Sequence, residues 1–81
     1  MKPTNHTIAL GIGAAERLKN GQHCIFIGDG AAQEIRYASN LLVIETPSML
    51  ITKRITSGEW NNFNNMLQGA TLTFKEPSHD Q

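Results

Sequence analysis

The chain has 81 residues, seven basic and seven acidic side chains and one cysteine. That length accommodates one small domain and excludes a second core. Net neutrality removes the long-range field that draws a protein to nucleic acid or an anionic bilayer, and the lone Cys24 excludes an intramolecular disulfide. With 40% hydrophobic and 17% charged residues the composition is globular and lightly charged. A lightly charged surface loses little hydration on meeting a partner, so a homo-oligomer or a docking protein is expected. Cys24 sits inside an apolar run, which suits a buried thiol in a reducing cytoplasm. No signal-peptide pattern is read at the start. The longest weakly polar run, Ile8 to Ala15, is far shorter than the ~20 residues of a spanning helix, so no membrane role is expected.

In chain order, residues 1–6 read as a polar tail. Thr7 to Asn20 admits a helix stopped by Gly21, or a short strand over Thr7 to Ile12 followed by a helix over Ala14 to Lys19. Both place an N-terminal helix on Ala14-Ala15-Glu16-Arg17-Leu18-Lys19, although Gly11 and Gly13 are poor helix formers. From Gln22 onward the pattern turns to β. Gln22 to Ile27, Gln33 to Ala38, Leu41 to Thr46 and Met49 to Thr56 are strand-like, separated by Gly28-Asp29-Gly30, Ser39-Asn40 and Pro47-Ser48. Tight connections of this kind predict an antiparallel meander. Ala31 to Ala38 keeps a helical alternative, with Asp29 as N-cap.

Thr56-Ser57-Gly58-Glu59 has the spacing of a capping box. Trp60, Phe63, Met66 and Leu67 then recur at helical spacing up to Gly69, which predicts an amphipathic helix. Ala70 to Lys75 alternates as a last strand, and residues 76–81 form a second polar tail. No internal repeat is read from the sequence. The expected fold is therefore α+β in a single domain over 1–81. An N-terminal helix precedes a mostly antiparallel meander of about four to five strands, and a capped helix precedes the last strand.

The stretch Ile25-Phe26-Ile27-Gly28-Asp29-Gly30-Ala31-Ala32 resembles the front half of the motif of thiamine-diphosphate enzymes. In that family a strand ends in Gly-Asp-Gly, and the aspartate and a later asparagine hold the divalent ion that bridges the diphosphate. The resemblance implies Asp29 and Asn61 as the corresponding residues. It ends there, because two strand-like runs intervene and Asn61 falls inside the expected helix. Gly28, Asp29 and Gly30 are read first as a turn, with an anion or small-ligand site as an alternative. Gly11-Ile12-Gly13-Ala14-Ala15 begins like a dinucleotide fingerprint, but Glu16 stands where a small residue belongs.

No catalytic constellation is found, and no cofactor or metal is expected. His6, His23 and His79 are scattered, and His23 and Cys24, adjacent on a strand, face opposite ways. Arg36, Lys53 and Arg54 form the one basic cluster on the expected sheet, with Tyr37 near enough to stack a base; this is the nucleic-acid reading. Trp60, Phe63, Met66 and Leu67 concentrate apolar anchors on one helix and are the candidate protein contact. The expected function is a non-enzymatic, self-associating interaction protein that inhibits, adapts or regulates another protein.

Overall fold

Backbone pairing in the first half of the chain joins residues 17 positions apart. Thr7 lies beside Cys24, Leu10 beside Ile27, Asn20 beside Tyr37 and Ile25 beside Leu42, all in parallel. The chain therefore coils, each turn stacking on the one before. A computed structural model describes residues 5–56, 59 and 62–75. Among these the elements are β1 (Asn5–Leu10), β2 (Asn20–Ile27), β3 (Tyr37–Ser39), β4 (Leu41–Glu45), β5 (Met49–Arg54), α1 (Phe63–Leu67) and β6 (Thr71–Phe74). The sheet runs β1-β2-β4-β5-β6, with β3 beside the first half of β2. From β4 onward the pairing becomes antiparallel.

This corrects the expected α+β meander in three respects. First, the described residues are dominated by strand, and β1, β2 and β4 are parallel rather than antiparallel. Second, the N-terminal helix over Ala14 to Lys19 is absent. Ala15 has φ 54 and Gly13 φ 74, and such left-handed residues interrupt a right-handed helix. The segment closes instead in tight turns, Ala14 N–H to Gly11 C=O at 3.3 Å and Leu18 N–H to Ala15 C=O at 3.1 Å. Ala15 also donates its N–H to Ala31 C=O in the next coil, at 2.8 Å. The backbone bonds thus run between coils and not along a helix. Ala31 to Glu34 repeats the arch, so neither the strand nor the helix expected there forms until β3 begins.

Third, the amphipathic C-terminal helix shrinks to the five residues of α1, capped by Asn62, whose side chain accepts from Asn65 N–H at 2.8 Å. Glu59 does reach back to Thr56 N–H at 2.8 Å, the bond a capping box makes, but there it closes a separate turn. The expected absence of a repeat is also overturned. Gly11-Ile12-Gly13-Ala14-Ala15 and Gly28-Asp29-Gly30-Ala31-Ala32 are one corner written twice, 17 residues apart. The left-handed residues repeat with it: His6, His23 and Asn40 at one bend, Ala15 and Ala32 at another.

Apolar groups cover both faces of the sheet. On one side Cys24, Phe26 and Val43 pack against Ala15, Leu18 and Ala31 of the arches, all buried. On the other, Leu42 packs with Ile55 and Met66, flanked by Ile25, Ile44 and Leu67. Burying Phe26 completely contributes roughly 2–3 kcal/mol. No helix among the described residues is long and apolar enough to cross a membrane.

Candidate interaction surface

Among the described residues the first coil has a neighbour on one side only, because β1 is an outer strand of the sheet. Its side chains show the consequence. Ile8 and Leu10 occupy the register positions of Ile25 and Ile27, yet they are 51% and 58% exposed, while Ile12 at the adjoining corner is 82% exposed. Leu10 also begins an apolar row that crosses the sheet through Ile27, Ile44 and Ile51 to Leu72, which is again half exposed. The segment that carries Ile55 and Met66 covers the middle of this face and leaves its β1 end open.

The Gly28-Asp29-Gly30 corner is occupied by the stack itself. Gly28 N–H donates to Leu10 C=O and Gly30 N–H to Ile12 C=O, both at 2.8 Å. Asp29 Oδ1 accepts from Ile12 N–H, also at 2.8 Å. A ligand site at this corner needs these same groups. Among the described residues, no three His, Cys, Asp or Glu side chains converge as metal ligands. Asn61 lies outside the described residues.

Of the basic cluster, the structure brings Tyr37 and Arg54 together and leaves the other two apart. Tyr37 and Arg54 line an open groove of about 430 Å³ with Asn20, Gln22, Ala38 and Ser39. Arg54 Nη1 donates to Ser39 C=O at 3.3 Å. Lys53 turns away to Glu59 at 3.1 Å and is largely covered, and Arg36 is exposed but does not line the groove. Glu59 is held below the usual carboxylate range, first by the Thr56 N–H it accepts and then by Lys53. Glu34 and Glu45 do not converge on one site but face Arg17 and Lys75 respectively.

The four apolar anchors are likewise divided. Met66 is buried against Leu42 and Ile55, and Leu67 packs half-buried beside them. Phe63 opens α1, and Trp60 lies outside the described residues. Cys24 is buried, its thiol donating to Gln22 C=O at 3.3 Å, while His23 is exposed and stacks on His6 with ring centres 4.7 Å apart. That distance is the ordinary spacing of neighbouring strands, so the two rings mark successive coils.

The sequence does not single out Ile8, Leu10 and Ile12, because alternation makes them look like a buried strand or a helix stripe. The recurring Gly-x-Gly-Ala-Ala was the signal that would have placed them at the end of a stack. No protein-family model, curated protein or solved structure matches the chain.

Proposed function

We propose that this chain is a small non-enzymatic interaction protein, and that it binds through the open end of its first coil. One observation carries the reading: Ile8, Leu10 and Ile12 stand exposed on and beside an outer strand that lacks the charges or prolines that usually protect such an edge. Covering each of these side chains contributes on the order of 1 kcal/mol or more, which favours a partner that seals the edge. A stacked architecture has the same need, since the terminal coils of a solenoid otherwise present an unfinished core. A reducing cytoplasm is the compartment that fits the single buried thiol.

The test is capture of partner from lysate by the unaltered chain and by the double variant Ile8→Lys, Leu10→Lys. The reading expects specific capture by the first and its loss with the second. Equal capture by both would move the contact elsewhere, and no self-association or capture by either would remove the reading. A second reading is favoured by the groove that joins Tyr37 to Arg54 among amide side chains. It is contact with an anionic ligand such as a nucleic-acid backbone. Binding that weakens steeply with salt and disappears on Arg54→Ala would support it.

A further inference from the structure

We propose that the partner at the open coil is a second copy of this chain, joined β1 to β1 in antiparallel fashion across a two-fold axis. This rests on the interaction reading above and names its occupant. The backbone is set for such a join. Leu10 C=O accepts from Gly28 N–H, so Leu10 and, two residues back, Ile8 turn their peptide groups toward β2. Strand alternation turns the peptide groups of Ala9 and the amide of Gly11 to the open side. A pairing centred on Ala9 sets Ile8 opposite Leu10 of the partner subunit and extends the apolar rows Ile8–Ile25–Leu42 and Leu10–Ile27–Ile44 across the axis.

Charge argues for a second copy over a different protein. From residue 5 to residue 15 there is no Lys, Arg, Asp or Glu. In a two-fold contact residue i meets residue j and j meets i, so charge of one sign on this strand would repel the copy opposite, and the strand carries none. A partner of different sequence would have no charge here by which to be selected. The opposite outer strand, β6, suits a join less well. It has four residues against the six of β1, and Lys75, ion-paired with Glu45, follows it directly. A two-fold join closes on itself, so assembly stops at two copies.

Sedimentation of the full chain across a concentration series, with hydrogen exchange at each concentration, tests the proposal. The expected result is a monomer–dimer equilibrium in which amides of residues 7–11 exchange more slowly as concentration rises. Ile8→Lys with Leu10→Lys should weaken the dimer at least about a hundredfold, because like charges then face each other. Ala9→Pro, which removes an outward-facing amide from an outer strand, should also weaken it, with circular dichroism reporting that the fold is kept. If a variant fails to fold, the exchange pattern of the unaltered chain decides. A strict monomer, a dimer without added protection at 7–11, or open-ended fibres would each overturn the proposal. A monomer that still captures another protein through Ile8 and Leu10 would sink the dimer and leave the interaction reading standing; a monomer that captures nothing would sink both.

Discussion

Gly28 is the residue on which the stacking of the coils turns. Its φ is +118°, and a Cβ placed on it would lie 1.9 Å from the backbone oxygen of Glu45 in the next coil. Neither atom can yield without opening the stack. Gly30 also has a positive φ, +74°, but nothing nearer than 3.6 Å would meet its Cβ. Gly28→Ala should therefore cost about 3 kcal/mol or more, and Gly30→Ala about 1 kcal/mol, the left-handed penalty alone. Denaturant unfolding of the two variants checks the difference. Between these glycines, Asp29 holds the Ile12 amide. Asp29→Ala should lose about 1 kcal/mol and Asp29→Asn, which keeps the acceptor oxygen, much less. Magnesium should shift the midpoint of neither the unaltered chain nor Asp29→Ala, whereas a metal-binding role would make the unaltered chain alone respond.

At the scale of the element, the arches show why a helix-forming run does not become a helix. Ala14 to Leu18 has helical propensity, but Ala15 and Leu18 are buried and the Ala15 amide bonds across to Ala31. Tertiary burial and bonding between coils outweigh a propensity of a few tenths of a kcal/mol per residue. The turn before α1 gives a pH-dependent case. Glu59, in accepting from Thr56 N–H and pairing with Lys53, titrates lower in the folded chain than in the unfolded one. As pH falls the unfolded chain takes up this proton first, so the stabilisation is present above the ordinary glutamate range and fades through the lowered folded value. Glu59→Gln should thus melt below the unaltered chain at neutral pH. The gap should close in acid, as thermal scans at several pH values would show.

For the whole molecule the governing length is the 17-residue coil. Each complete turn offers the next the same bends, buried rows and backbone groups, and stability in such a stack is nearly a sum of neighbour contacts. Duplicating residues 6–22 in place should add a coil and preserve both the β circular dichroism and cooperative melting. Inserting a single alanine after Ala32 should not be tolerated, since it moves every later inward side chain to the opposite face. The third coil already shows how the stack ends. Where the first two place Gly-x-Gly, the chain has Glu45-Thr46-Pro47, and Thr46 and Met49 close a turn that sends β5 back antiparallel. The missing third arch leaves a groove of about 400 Å³ beneath Ala32, Ile35, Val43 and Leu50.

Several local features were legible in the sequence. Strand character in residues 22–27, 41–45 and 49–54, the turns at Gly28-Asp29-Gly30 and Pro47-Ser48, the burial of Cys24 and the reach of Glu59 to Thr56 follow from side-chain chemistry within a few residues. Strand partners do not. A run such as Cys24 to Ile27 is apolar on both faces and carries no alternation to reveal which way its neighbour runs, so tight turns suggested hairpins where the chain in fact coils. Each Gly-x-Gly-Ala-Ala corner resembles a different cofactor motif, because a glycine pair alone does not say what lies beside it. The sequence by itself determined the turns at Gly28-Asp29-Gly30 and Pro47-Ser48 and the burial of Cys24, because side-chain chemistry within a few residues decides these. Only the tertiary structure decided that the bends stack, that Met66 goes inside and that Ile8 and Leu10 stay outside, because those outcomes depend on contacts between residues 17 or more positions apart.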